Sequence, residues 1–271
     1  MPELPEVETT CRGIRPHLVN QTIRDVVVRN RQLRWPVSSK LASEARHATV
    51  HSVERRAKYL IINTANGSII IHLGMSGSIR VTHTDQAPEK HDHVDIILEN
   101  DKVIRFRDPR RFGSVFWTRL DPLTHKRLAD LGPEPLEDHF NSQYMINQAQ
   151  GRKQSIKSFI MNSHIVVGVG NIYACEALFM SGINPNTAAG KLSAQRWQKL
   201  VDAITQVLNS AIEQGGTTLK DFTRSDGQPG YFAQSLNVYG RENEPCNHCQ
   251  RPLRRITQGQ RSTFYCTNCQ H

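Results

Sequence analysis

KYLIINTANGSIIIHL, residues 58–73, holds two β-branched runs on either side of an Asn-Gly pair. Runs this short, rich in Ile and bounded by turn residues, read as strands rather than helix. The same texture extends both ways, from about Thr22 to Arg119. TIRDVVV (22–28) lies upstream, and HVDIILE (93–99), KVIRFR (102–107) and GSVFWT (113–118) lie downstream. Gly, Asn, Asp and Pro punctuate the runs, and almost no helical pattern intervenes. Many short strands at close spacing predict an antiparallel sandwich or barrel. Ahead of them, Val7, Cys11, Ile14 and Leu18 recur at helical spacing. Pro5 is well placed to start that helix, and Pro16 is expected to bend or end it.

The strand pattern breaks between about Leu123 and Pro135, where LGPEPL (131–136) reads as a linker. From about Asn141 to Phe222 helices dominate. Ser193 is a candidate N-cap for a helix running to Gln214, with Trp197, Leu200, Val201, Ile204 and Leu208 on one face and Gly215-Gly216 as its stop. The last 30 or so residues are Cys-rich, basic and too short for a core of their own. No internal repeat or low-complexity tract is evident.

The chain has 34 Lys and Arg against 25 acidic residues, a formal charge of +9. Such an excess fits a polyanionic partner, and fits equally a soluble protein that is merely basic. No apolar run approaches a membrane span, and the start does not resemble a signal peptide. Four of the six cysteines form Cys-x-x-Cys pairs, which together with the missing signal predicts a reduced, cytoplasmic protein. Cys246-x-x-Cys249 and Cys266-x-x-Cys269 have the two-knuckle spacing of a closed structural site for one Zn2+. A redox role for two pairs so spaced is the weaker reading. The intervening residues can form a hairpin carrying Arg251, Arg254, Arg255 and Arg261 toward nucleic acid. Cys11 and Cys175 sit in helical patterns and read as packed thiols.

The opening PELPEVE (2–8) is open to two readings. It is an ordinary helix start, or, once Met1 is removed, it presents the secondary amine of Pro2. Such an amine can attack a sugar C1′ and form an iminium, with Glu3 moving protons nearby. PELPEVE closely resembles the start of the formamidopyrimidine-DNA glycosylases. The likeness continues, in that family's order, through RRAKYL, IHLGMSGS, HDHVD, DPRRFG, VVGVGNIYA, EQGGTTLKDF and VYGR to the terminal knuckles. It implies an α+β multidomain fold: an N-terminal antiparallel β-sandwich, a helix–two-turn–helix domain and a C-terminal β-hairpin zinc finger. The corresponding limits are 1–131, 132–236 and 237–271.

The resemblance also implies roles. Pro2 is the Schiff-base nucleophile, Glu3 the acid assisting base loss and sugar opening, and Glu6 a support. Lys58 contacts phosphate and lesion and assists elimination; Arg261 grips phosphate and serves the second elimination. Met75, Arg110 and Phe112 fill the gap left by a flipped nucleotide, with Arg110 pairing to the orphaned cytosine. His72, His91, Arg152, Lys157, Asn171 and Tyr173 are the remaining expected DNA contacts, with GGTTLKDFTRSDG (215–227) capping the flipped base. Out of that context, Met75 and Phe112 would read as core, His72 as a satisfied strand-end histidine and Lys58 as a snorkelling lysine. His91 and His93 would share a face on a strand, though no zinc is expected there beside the Cys site.

The expected reaction is excision of 8-oxoguanine and formamidopyrimidines from duplex DNA, then β,δ-elimination. No membrane and no obligate protein partner are expected, and a monomer suffices. Leu4 and Arg110-Arg111-Phe112-Gly113 favour purines over the pyrimidine-excising endonuclease VIII type. A non-catalytic DNA-binding protein would not need the Pro2 amine. A zinc-dependent hydrolase would need an open metal position that four cysteines do not leave. Asn162-Ser163 and Cys175 depart from the family pattern and touch only details of helix packing.

Overall fold

A computed structural model describes residues 2–216 and 236–271 of the chain. Its described residues divide into two compact units, one of residues 2–130 with 214–216, the other of residues 131–213 with 236–271. In the first unit, helix α1 (Leu4–Leu18) precedes eight strands and a short helix α2 (Leu41–Ala45). The strands are β1 (Ile23–Val28), β2 (Val50–Arg56), β3 (Tyr59–Thr64), β4 (Gly67–His72), β5 (Ser78–His83), β6 (Asp92–Leu98), β7 (Lys102–Arg107) and β8 (Ser114–Thr118). They form two four-stranded sheets, ordered β1-β6-β7-β5 and β2-β3-β4-β8, antiparallel throughout. The expected sandwich is present, with two strands beyond the six runs singled out above. β2 (VHSVERR) and β5 (SIRVTH) carry more polar than apolar residues, so period-2 burial is hidden there.

Alternation explains the packing. Leu60, Ile62, Ile69 and Ile71 from one sheet meet Val94, Ile96, Ile104 and Phe106 from the other in a single core. The intervening positions Asp95 and Arg105 are also buried, on the opposite sheet face, where Arg105 Nη2 and Nε each reach an Asp95 oxygen at 2.9 Å. The stripe Val7, Cys11, Ile14 and Leu18 of α1 is buried in the same core. Pro16 falls in the last turn, and the helix ends two residues later at Leu18.

The second unit contains α3 (Ser142–Ala149), α4 (Ile156–Ile160), α5 (Asn171–Met180), α6 (Ala194–Glu213) and the hairpin β9 (Arg254–Gln258)–β10 (Arg261–Tyr265). Trp197, Leu200, Val201, Ile204 and Leu208 of α6 are all buried, as their spacing predicts. Ser193 Oγ accepts from Arg196 N at 3.4 Å before its first turn. Gly215 and Gly216 follow at φ +77 and +83, values that favour glycine. The hairpin turns at Gln260 (φ +61) and Gly259 (φ +53), both left-handed, the requirement of a two-residue turn between twisted strands. Val238, Cys246, Leu253, Phe264 and Cys266 pack with Cys175 and Phe179 of α5, so the hairpin module shares a core with that helix. Among the described residues, no helix is long and apolar enough to cross a membrane.

Candidate functional site

Strand register collects the first unit's candidate residues at one end of the sandwich. Arg56 pairs with Tyr59, so Ala57 and Lys58 form the β2–β3 turn, with Ala57 at φ +54. Tyr59 faces His72 across β3–β4, and His72 faces Ser114 across β4–β8. The segment carrying Met75 leaves from His72, and the segment carrying Arg110 and Phe112 arrives at Ser114. On the other sheet Ser78 and Asp92 both pair with Arg107, placing the starts of β5 and β6 beside the end of β7, with His91 just ahead of β6. Helix α1 points its first turn the same way. Arg15 Nε donates to Val53 O at 2.9 Å and Glu8 accepts from Arg55 at 2.9 Å, so its N-terminus lies toward the Lys58 turn. Burial pushes the Glu8 carboxyl upward, and hydrogen bonds from Arg12 and Arg55 outweigh it, leaving Glu8 below its ordinary value and ionised.

At the helix start Pro2, Glu3 and Glu6 are all buried. Glu3 is the N-cap of a reciprocal capping box, in which Glu6 Oε2 accepts from Glu3 N at 2.8 Å. The two carboxylates are thereby locked beside Pro2, and Glu6 lies against Gly216, where an added Cβ would come within 3.3 Å of Glu6 Cγ. His72 is held in one tautomer: its Nδ1 accepts from Gly74 N at 3.0 Å, so any ring proton sits on Nε2. Burial, then the charges of Lys58 and Arg34, lower its pKa to about 4. His72 is therefore a neutral donor at physiological pH. Lys58 is half-buried and has partners of its own. Cys11, pushed by burial up to about 11, is the inert thiol its helical position suggested.

Met75 and Phe112 are 38% and 41% exposed, unusual for large apolar side chains in this molecule. The Arg110 guanidinium lies 4.9 Å from the Phe112 ring centroid. Sequence reasoning missed what holds them. Asp108, fully buried, accepts from Ser76 Oγ and Gly113 N at 2.7 Å each, and from Arg110 N at 3.3 Å. Its backbone N donates to His91 O at 3.0 Å, and its carbonyl lies 2.8 Å from His93 Nε2. One carboxylate thus ties the Met75 segment to the Arg110–Phe112 segment. The two segments touch so closely that a Cβ at Gly74 would meet Gly113 N at 2.4 Å. The signal was present in Asp108-Pro109 at a strand end, with Gly113 closing the turn. His91 lies outside β6, so the two histidines do not line one strand face, and their ring centroids stand 6.4 Å apart at 73°.

In the second unit, Gly170 caps α5 and Asn171 begins it, after Gly168 at φ +80. Asn171 Nδ2 donates to Ser262 O at 2.8 Å, which sets Asn171 beside exposed Arg261 at the hairpin turn. Two expected DNA contacts sit differently from expectation. Lys157 is 1% exposed, and its ammonium donates to Asn171 Oδ1 and Thr263 Oγ1 at 2.6 Å and to Ser262 O at 3.2 Å. It positions Asn171 and the hairpin because burying an ammonium requires all three acceptors. Tyr173 is fully buried because α5 is buried all round, from Ile172 through Phe179. Arg152 is exposed ahead of α4. Glu176 was also missed: this buried carboxylate accepts from the backbone N of Asn237, Val238 and Tyr239 at 2.8–2.9 Å and from Asn237 Nδ2 at 3.1 Å. Its signal was a lone acid in the otherwise uncharged NIYACEALFM. The expected base-capping stretch, apart from Gly215 and Gly216, lies outside the described residues.

The four knuckle sulfurs lie within 4.8 Å of one another, with Cys246–Cys269 at 3.9 Å and Cys249–Cys266 at 3.5 Å. Sulfurs each about 2.3 Å from a tetrahedral zinc stand roughly 3.8 Å apart, so the cluster fits the ion. Gln270 braces it, accepting from Cys266 N at 2.8 Å and donating to Ile183 O at 2.9 Å. Cys246, Cys249, Cys266 and Cys269 hold one structural zinc, whose contribution is to fix the hairpin that carries Arg261.

A sandwich with a buried carboxylate pair at a helix start, followed by a helical unit bearing an arginine-tipped zinc hairpin, defines a class of nucleic-acid enzyme. Family models match in three consecutive pieces: the formamidopyrimidine-DNA glycosylase N-terminal domain over residues 1–115, the H2TH domain of the same glycosylases over 131–223, and the zinc finger found in FPG and IleRS over 243–271. Formamidopyrimidine-DNA glycosylases of Alcanivorax borkumensis and Saccharophagus degradans are 57% and 55% identical over 270 residues, covering 100% of both chains in each case. The crystal structure of the MutM (Fpg) protein from Thermus thermophilus is 36% identical, with a TM-score of 0.89 over 99% of this chain and 98% of that one. Lactococcus lactis Fpg in complex with DNA containing an abasic site is 30% identical, with a TM-score of 0.92 over 99% of each. The chain belongs to the formamidopyrimidine-DNA glycosylase family. It is a base-excision repair enzyme, a glycosylase with abasic-site lyase activity.

Proposed function

We propose that this enzyme removes 8-oxoguanine and formamidopyrimidines from duplex DNA through a Schiff base on Pro2, then cuts both flanking phosphates by β,δ-elimination. The observation that carries the reading is the convergence of the α1 start, the Lys58 turn, His72 and the paired Met75 and Phe112 segments at one end of the sandwich. Met75, Arg110 and Phe112 occupy the gap while the damaged nucleotide is flipped out. The Pro2 nitrogen lone pair forms a bond to C1′ as the C1′–N-glycosidic bond breaks and the base departs with a proton. Opening of the sugar then leaves an iminium, with Glu3 as the proton carrier. The iminium acidifies the adjacent C2′–H; loss of that proton expels the 3′ phosphate, and a second elimination, served by Arg261, expels the 5′ phosphate. Lys58 assists at phosphate and lesion. Neutral His72 donates from Nε2 to a phosphate oxygen, and Asn171, Arg152 and His91 add backbone contacts. Lys157 and Tyr173 act through their neighbours.

The working divisions are 1–131 for catalysis, 132–236 for helical DNA binding and 237–271 for the finger. The enzyme works as a monomer in the cytoplasm, on DNA, without an obligate protein partner. The deciding experiment is borohydride trapping on a duplex with 8-oxoguanine opposite cytosine, using protein shown by mass to lack Met1. A covalent adduct, absent with Pro2→Ala, is expected. No adduct from the processed protein overturns Pro2 as the nucleophile.

A further inference from the structure

Arg34 and Trp35 lie between β1 and α2, and Arg127 follows β8. The Arg127 guanidinium stacks on the Trp35 indole, its Cζ 3.9 Å from the ring centroid, with Arg34 Cζ at 5.9 Å. Trp35 is 38% exposed and Arg34 is exposed. Among the described residues neither guanidinium has a carboxylate partner, and Arg127 Nε is buried without a hydrogen bond. Several other arginines of this unit are neutralised: Arg24, Arg29, Arg55, Arg80, Arg105 and Arg107 all pair with Asp or Glu. Two uncompensated cations against one indole repel each other, and a buried guanidinium donor left unmade is costly.

The place of this cluster indicates what completes it. Arg34 N donates to Gly113 O at 3.1 Å, so the cluster rides on the segment that carries Phe112. The fields of both guanidiniums reach the Tyr59–His72 pair, whose rings lie 4.8 Å apart: burial raises the Tyr59 phenol against the pull of Arg127 and Arg34. A guanidinium stacked on an aromatic keeps its in-plane fork free and pre-oriented, the geometry that takes a phosphate through two parallel hydrogen bonds. Building on the DNA-repair reading above, we propose that Arg34 and Arg127, held against Trp35, form a clamp for a DNA backbone phosphate that passes the Phe112 segment. It is additional to the contacts of Lys58, His72, Asn171 and Arg261.

The test is equilibrium binding to an 8-oxoguanine duplex across about 50–200 mM salt, with single neutral methylphosphonate linkages scanned along each strand. Arg34→Ala and Arg127→Met are compared with wild type; Met keeps an aliphatic stem on Trp35. Arg24→Ala, removing an arginine paired to Asp101 at 2.7 Å, is the control. Each clamp variant is expected to lower the slope of log K on log salt by about 0.9 and to weaken binding about tenfold. One methylphosphonate position should weaken wild type and the control yet have no further effect on Arg127→Met. Slopes and affinities matching wild type, or sensitivity to every linkage unchanged in both clamp variants, overturn the clamp. Wild type that neither binds nor traps the duplex overturns the function instead.

Discussion

His72 and Asp108 show how single residues acquire roles from their surroundings. Burial and the charges of Lys58 and Arg34 take His72 from an ordinary 6.5 to about 4, while Gly74 N fixes its tautomer. Because the folded pKa lies below the unfolded one, the unfolded chain takes up the proton first as pH falls. The contribution of neutral His72 is therefore complete above about pH 6.5 and is lost progressively down to about pH 4, by at most about 3 kcal/mol. Melting temperatures over that window should fall less steeply for His72→Gln than for wild type; identical slopes would remove this account of the histidine. Asp108 accepts four hydrogen bonds' worth of loop geometry through a buried carboxylate and carbonyl. Asp108→Ala should cost about 3 kcal/mol in urea unfolding and depress kcat/KM on lesion duplex, with Asp108→Asn recovering part of both. A variant as active as wild type would show that Met75 and Phe112 need no such tie.

At the scale of elements, each unit uses a buried polar anchor to seat an irregular segment on a regular one. In the second unit Glu176, from α5, takes up the backbone donors of residues 237–239 as the chain enters the hairpin module. Three backbone N–H groups meeting one carboxylate resemble an anion site filled from within the chain. Removing it leaves those donors unpaired, so Glu176→Ala should destabilise the second unit by about 3 kcal/mol, and Glu176→Gln by less. Hydrogen exchange at Val238 and Tyr239 reads the effect directly: unchanged protection in the Ala variant would contradict the anchor. Lys157 does the converse, an ammonium satisfied by Asn171, Ser262 and Thr263, so α4, α5 and β10 meet at one point. The two strands overlooked in the sequence, β2 and β5, belong here too. β2 spends its polar residues on α1 and the neighbouring strand, as Arg55 does with Glu8, and so conceals its inward face.

For the whole molecule the zinc module is the sharpest case of dependence. Its apolar residues share a core with Cys175 and Phe179, so the metal stabilises α5 as well as the hairpin. Cys249→Ser should lose strand cutting and lower the melting of the second unit, while the sandwich unit keeps its own transition. Normal cutting by a zinc-free variant would make the finger dispensable. Cys175 is part of that shared core, a small buried thiol against Val238 and Cys246.

What the sequence determined by itself is what depends on local spacing. Val7, Cys11, Ile14 and Leu18 mark a helix because 3.6-residue periodicity is a property of the segment alone. The Ile-rich runs mark strands, the knuckle cysteines mark zinc, and PELPEVE with DPRRFG marks the family, all within short windows. Tertiary structure decided the rest, because hydrogen bonds, burial and charge act through space between residues far apart in the chain. Ser76 and Asp108 are 32 residues apart, Glu176 and Asn237 are 61 apart, and neither partner announces the other. Only register brings Lys58, His72 and the Phe112 segment to one end of the sandwich. Only packing turns Lys157 inward, makes His72 neutral and leaves Arg34 and Arg127 stacked on Trp35 without a counter-charge among the described residues.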